Sequence, residues 1–384
     1  MKEKLLRFGS YVLVAVLATV TTLVMVDMEF GLRPSKLTEL ERLIEERFIG
    51  EADPEALADA AADAMVQATG DRWSYYIPAS EYEAYREQSE NAYVGVGMTI
   101  QATEDSSGFL ILEVVKGGPA EEAGIQPKDL LITVEDTDIR ELTVTEVRDL
   151  VKGEAGTYVS LTVLRQGTHT TFSVPRRKVE TPVASWQMLD GNIGLVTIEN
   201  FDERCAKESI AAIETLLDAG AEKLIFDVRY NPGGYASELV DLLDYLLPEG
   251  DLFRTVRYDG KENVDRSDAD CLEIPMAVLV NASSYSAAEF FAAALREYEA
   301  AVVVGEQTVG KGYFQTTYQL SDGSAVALSI GKYFTPNGVS LAENGVTPDV
   351  TVTVEDDVAA DIYYGLLTPD QDPQIQAAVK ALAE

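Results

Sequence analysis

Beyond residue 190 the chain alternates between short, largely apolar stretches and helix-like stretches, and few folds accept that rhythm. The apolar pieces are 193–198 (IGLVTI), 223–229 (KLIFDVR), 276–281 (MAVLVN) and 301–305 (AVVVG); between them 207–220, 237–247 and 286–298 carry apolar residues at helical spacing. Strands that are apolar on both faces belong in a sheet covered by helices, so the rhythm predicts βαβ units and a largely parallel sheet. Reactive groups in such a domain gather where the strands end.

The rest of the 384 residues reads differently, as expected for a length that one core rarely accommodates. Residues 11–26 (YVLVAVLATVTTLVMV) hold sixteen residues without a charge, preceded by Lys2, Lys4 and Arg7 and followed by Asp27 and Glu29. An uncleaved membrane anchor is favoured over a signal peptide, and the basic flank places everything after residue 27 outside the cytoplasm. Residues 37–70 predict two helices broken at Gly50 and Pro54 and closed by Gly70. A third helix is expected over 80–91, with Ser80 as N-cap and Glu83 as its capping-box partner. From Tyr93 short alternating runs (VGVGMTI, FLILEVV, LLITVED, YVSLTVLR, TTFSVPR) predict a small β-rich domain of about eighty residues, with short helices at 119–124 and 144–151. The expected division is 1–36 cytoplasmic stub, anchor and linker; 37–92 helical region; 93–178 β-rich domain; 179–356 α/β domain; 357–384 C-terminal helical segment.

Composition excludes several functions. The formal charge of −35, from 65 acidic and 30 basic residues, repels phosphate backbones, so nucleic acid is not expected as a partner. A single histidine, His169, and two cysteines, Cys205 and Cys271, cannot build a histidine-rich zinc site or a four-cysteine cluster. No metal or cofactor is expected, and pairing of the two cysteines is left open.

The most informative stretch is MAVLVNASSYSAAEFFAAALREY. Its strand-like run stops at Asn281 and a helix starts at once after Ser286, with no Gly or Pro between. A serine at the tip of a strand and the start of a helix sits beside free amides that favour negative charge, as an acyl-transfer nucleophile requires. Ser283, Ser284 and Ser286 also read as plain N-caps. A serine needs a base, and the lone histidine lies in the β-rich segment, which leaves lysine. Lys311, flanked by Gly310 and Gly312 after AVVVG, is the candidate; the glycines would let backbone approach a substrate, while the bland reading is an exposed loop lysine. Such a lysine is a base near neutrality only if burial lowers its pKa from ~10.4 by a few units. The NPGG at 231–234 also reads as an ordinary tight turn.

Together DVRYNPGG (227–234), NASSYSAAE (281–289) and VGKGYFQ (309–315) resemble the C-terminal processing, or tail-specific, serine proteases. Segments before the β-rich domain (DRWSYYIPASEY), late in the chain (YFTPNGVSLAENGVTPDV) and at its end (DPQIQAAVKAL) extend the resemblance from about residue 37 onward. It implies Ser286 as nucleophile, Lys311 as its base and Gln315 as the residue orienting that lysine. Oxyanion donors are then the amide of Ala287 and one from Gly233 or Gly234. The β-rich domain resembles a PDZ domain, with Val94, Gly95, Val96 and Gly97 as its carboxylate-binding loop. The family implies a crotonase- or Clp-protease-like α/β core, protein or peptide substrates with accessible C-termini, and no cofactor; a homo-oligomer is left open. Two positions depart from the family pattern: Tyr285 replaces a small residue, and Asp71-Arg72-Trp73 replaces Asp-Pro-Tyr. The rival expectations are a noncatalytic tail-binding scaffold and an apolar-ligand binder on a related fold.

Overall fold

The computed structural model describes residues 16–19, 21, 35–103 and 105–383. Of the expected membrane segment, 11–26, only residues 16–19 and 21 are described and the rest lies outside them, and among the described residues no helix is long and apolar enough to cross a membrane.

Helices α1 (Lys36–Arg47) and α2 (Pro54–Gln67) start where capping chemistry dictates. Ser35 accepts from the Thr38 amide, and Asp53 accepts from the Glu55 amide ahead of Pro54. A short strand β1 (Tyr75–Ile77) precedes α3 (Ala79–Ser89). Helix α3 begins at Ala79 behind Pro78 with no side-chain cap, so Ser80 lies inside the first turn and is not the N-cap its spacing predicts.

Strand β2 (Ala92–Gly95) leads into the small domain, built from β3 (Met98–Ala102), β4 (Phe109–Val114), α4 (Pro119–Ala123), β5 (Leu130–Val134), β6 (Thr137–Asp138), α5 (Val144–Val151), β7 (Tyr158–Arg165) and β8 (Thr168–Pro175). Its antiparallel sheet runs β3-β4-β5-β7-β8, with β6 on β5, which leaves β3 at an edge. Phe109, Ile111, Leu131, Val147 and Leu161 fill its core. Strand β9 (Arg177–Glu180) then pairs with β2 outside that sheet, so the domain hangs from a two-stranded neck.

The remaining chain carries β10 (Ala184–Leu189), β11 (Ile193–Ile198), α6 (Cys205–Asp218), β12 (Lys223–Asp227), α7 (Ala236–Leu246), β13 (Gly250–Arg257), β14 (Glu262–Ser267), β15 (Met276–Val280), α8 (Ala287–Glu297), β16 (Ala301–Gly305), β17 (Tyr313–Gln319), β18 (Ala325–Phe334), β19 (Val350–Thr351), α9 (Asp356–Tyr363) and α10 (Pro373–Ala381). The main sheet runs β10-β11-β12-β15-β16-β19, parallel from β11 onward with β10 antiparallel at one edge. Alternation within each strand separates two cores. Leu224, Phe226, Met276, Val278 and Val280 meet α6, α7 and α8, while Ile225, Ala277 and Leu279 face the opposite layer with Ile375 and Ala378 of α10. The predicted parallel sheet is therefore present, covered on both faces.

A second, antiparallel sheet runs β1-β18-β13-β14, with β17 also on β18. The hairpin β13–β14 was not expected from the sequence, and β1 shows that the N-terminal region contributes to this sheet as well as forming helices. Cys205 is buried and Cys271 partly so, and both are free thiols.

Candidate active site

Strand β15 ends in a turn held almost entirely by its own polar side chains. Asn281 Oδ1 accepts from the amides of Ser283 and Tyr230, each at 3.0 Å. Ser284 is fully buried; its Oγ donates to the Val228 carbonyl at 2.7 Å and accepts from the Asn281 amide at 3.0 Å. Ser283 is exposed. The three serines thus separate: one closes the turn, one faces solvent, and Ser286 caps α8. Ser286 has φ 59° and ψ −124°, a conformation that side chains rarely adopt and that costs about 1–3 kcal/mol. Such strain persists where packing over-determines it, and here packing does: Tyr285 donates its amide to the Asn231 carbonyl at 3.1 Å.

The NPGG turn presses against this serine from below. A Cβ on Gly233 would lie 2.7 Å from Ser286 Cβ and 2.8 Å from Ala287 N, so only glycine fits beside the nucleophile candidate. The Gly233 amide itself donates to Asn231 Oδ1 at 2.8 Å. In this arrangement that amide is already engaged. The Gly234 and Ala287 amides remain, neither with an acceptor among the described residues. Beneath the turn, the buried Arg229 guanidinium grips Asp227 through both carboxylate oxygens and reaches Asp372 and Gln374 at the start of α10.

One side chain ties the serine turn to the lysine loop, and chain spacing did not reveal it. Glu289, in the first turn of α8, is fully buried. Its Oε2 accepts from the amides of Ser286 (3.0 Å) and Lys311 (2.9 Å), and its Oε1 from the Gly310 amide (2.7 Å) and the Thr308 hydroxyl. Burial pushes this carboxyl above its ordinary value, against four donors that favour the ionised form.

Lys311 is largely buried at the rim of a cavity of about 1190 Å³ that Ser286, Gln315 and Tyr333 also line. Burial lowers its amine to about 8, with nearby Asp71 and Glu289 pulling the other way. Its Nζ lies 5.1 Å from the Trp73 ring centroid and 5.7 Å from that of Tyr285, and the two rings stack with centroids 6.1 Å apart. No hydrogen bond joins Lys311 to Ser286 among the described residues; Ser286 Oγ accepts instead from Tyr333 Oη at 3.2 Å. Burial raises the Tyr333 hydroxyl, which keeps it protonated and a donor. Among the described residues Gln315 makes no hydrogen bond to Lys311 either: its Nε2 donates to the Tyr313 carbonyl and to Ser329 Oγ.

In the small domain, Val94 and Gly95 belong to the neck strand β2, and the Val94 amide donates to Glu87 Oε1 at 3.1 Å. Only Val96 and Gly97 of the four expected loop residues form the turn before β3. Their carbonyls accept from Ala120 and Val115.

A model of peptidase family S41 matches residues 192–352, and a PDZ-domain model matches residues 110–165. Over 369 residues the chain is 31% identical to the carboxy-terminal processing protease CtpA of Bacillus subtilis (strain 168), an alignment covering 93% of this chain and 79% of that one. It is 28% identical over 359 residues to "Probable CtpA-like serine protease" of Staphylococcus epidermidis (strain ATCC 12228 / FDA PCI 1200), covering 91% and 72% of the two chains. A solved structure described as "Putative S41 protease from Bacteroides fragilis NCTC 9343" aligns with TM-score 0.55 at 17% identity, over 90% of this chain and 97% of that one, which shows a shared fold.

Proposed function

Since this chain belongs to peptidase family S41 and is a serine-type peptidase with a PDZ domain, we propose that it cleaves unstructured, apolar C-terminal tails of extracytoplasmic proteins through a Ser286–Lys311 dyad. The observation that carries this reading is the Glu289 clamp, which holds the backbones of Ser286 and Lys311 at one cavity while burial brings the lysine amine down to about 8.

Neutral Lys311 takes the proton from Ser286 Oγ as that oxygen bonds to the scissile carbonyl carbon, and the carbonyl electron pair moves onto oxygen. The amides of Ala287 and Gly234 are the donors offered to that oxyanion. On collapse the C–N bond breaks, and Lys311 returns its proton to the leaving amine. Water then attacks the acyl-enzyme carbonyl and gives a proton to Lys311, which passes it to Ser286 Oγ as the ester bond breaks, releasing the acid and restoring the neutral amine and the hydroxyl. Leu239, Phe253 and Phe290 make an apolar wall of the cavity, suited to an apolar side chain at the cut. The edge strand β3, with Met98 and Ile100 packed onto the domain core and α5 beside it, offers a tail a place to add as a strand.

The purified chain and its Ser286→Ala and Lys311→Ala variants, assayed on an unstructured apolar-tailed peptide, test the dyad. Both variants should lose at least ~10³ in kcat; either one cleaving at the parent rate overturns the assignment. The basic flank and uncharged run at 2–26 support a single-pass anchor with the catalytic part outside. Membrane fractionation with external protease treatment of intact cells checks that placement, and a protein that remains in the soluble fraction refutes it.

A further inference from the structure

The two places where the chain departs from the pattern it resembles come together in space. Trp73 precedes β1, and Tyr285 precedes the nucleophile, 212 positions later in the sequence. Their rings lie 24° from coplanar, and the Lys311 amine rests against both. Trp73 is held there by a chain of polar contacts. Its amide donates to Asp71 Oδ1, Asp71 Oδ2 accepts from the Ser74 hydroxyl at 2.6 Å, and Ser74 Oγ accepts from the Ser329 amide of β18 at 2.9 Å.

We propose that Trp73 and Tyr285 form an aromatic sheath around the base, and that Trp73, supplied by the N-terminal region, is a positioning residue that sets how readily Lys311 sheds its proton. The proposal rests on Lys311 being the base. Two ring effects oppose one another. Excluding water favours the neutral amine, whereas the electron-rich ring faces favour the ammonium. Burial is the largest influence on this amine and outweighs the rest. Asp71 from the segment before β1 and Glu289 from α8 favour the charged form. Arg72 lies on the same indole, its guanidinium 4.3 Å from the Trp73 centroid. Burial, together with Asp202 as the acidic group that acts on it, holds the Tyr285 hydroxyl above its ordinary value. Opening the sheath therefore readmits water and returns the amine toward its ordinary value.

The test is the pH profile of kcat/KM for the full chain on the same peptide. The parent should reach half its plateau near pH 8. Trp73→Ala should move that midpoint up by about 1–2 pH units, so that kcat/KM at pH 7 falls ~10–100-fold while the high-pH plateau stays within about threefold. Trp73→Phe, which keeps a ring, should stay within about 0.3 units of the parent. Trp73→Leu, the gentler substitution should Trp73→Ala not fold, should fall between them. An equal loss at every pH, or an unmoved midpoint, overturns the sheath. A second readout separates this from failure of the dyad: NMR titration of ¹³Cε-labelled lysine in Ser286→Ala, with the Lys311 signal identified by its loss in Lys311→Ala. If Lys311→Ala proves fully active, the base assignment falls. The titration still decides the sheath, since an upward shift with Trp73→Ala upholds it and an unchanged midpoint refutes it.

Discussion

Glu289 shows how one buried acid can hold a site together. An ionised carboxylate is an acceptor only, with about four lone-pair positions, and it meets three amides and a hydroxyl. Glu289→Gln keeps the shape but turns an NH₂ toward two of those donors. Each buried donor left without an acceptor costs about 1–3 kcal/mol, so the variant should lose roughly 2–6 kcal/mol in chemical denaturation, and its kcat should drop ~10²-fold as the serine and lysine backbones drift. Unchanged stability and turnover would show that the clamp matters to neither. The residue stood in plain view as the last letter of NASSYSAAE, yet spacing along the chain says nothing about which amides converge on a carboxylate. The same limit explains Gly233. The turn was legible, but only coordinates reveal that the Asn231 side chain already occupies its amide.

Elements differ in how clearly they announce themselves, and burial is the reason. Strands β11, β12, β15 and β16 are apolar on both faces because helices cover both sides of their sheet, and such runs are hard to mistake. The hairpin β13–β14 is mostly half-buried, carries charges along both strands, and has no clean apolar alternation to announce it despite its Asp259-Gly260 turn. Helix α10 was anticipated, but its attachment was not. Asp372 caps it by accepting from the Gln374 and Ile375 amides and also pairs with Arg229 directly beneath the NPGG turn. Arg229→Met leaves two carboxylates, Asp227 and Asp372, without their cation, which typically costs 3–5 kcal/mol. Its effect should be local first: hydrogen exchange over 373–381 should accelerate before the sheet does. Protection of α10 equal to that of the parent would contradict the anchoring role.

At the scale of the molecule, two regions distant in sequence meet at one cavity and a third is tied alongside them. The N-terminal region supplies Trp73, the α/β unit supplies Ser286 and Lys311, and the neck of the small domain is fastened to the α/β unit. Arg204 donates to the carbonyls of Glu90, Asn91 and Thr181, and Asn91 and Asn200 exchange side-chain hydrogen bonds. If the small domain captures tails by their terminal carboxylate, amidating the C-terminus of a peptide substrate should raise KM about tenfold with little change in kcat. Equal kinetics for free and amidated tails would dissociate that domain from recognition. Domain composition was readable because hydrophobic periodicity changes twice along the chain. Convergence was not, since nothing in a linear pattern relates residue 73 to residue 285.

The glycines beside Lys311 carry a last implication. They looked like an opening for substrate backbone, but a Cβ at Gly310 would lie 2.8 Å from the Glu343 carbonyl carbon and one at Gly312 2.6 Å from Ala342 Cβ. The space they leave is taken by the chain's own 341–345 turn. With its backbone also pinned by Glu289, the lysine is a fixed post with a swinging arm: any travel of the amine toward the serine comes from rotation about its four side-chain bonds, and not from a hinge in the loop.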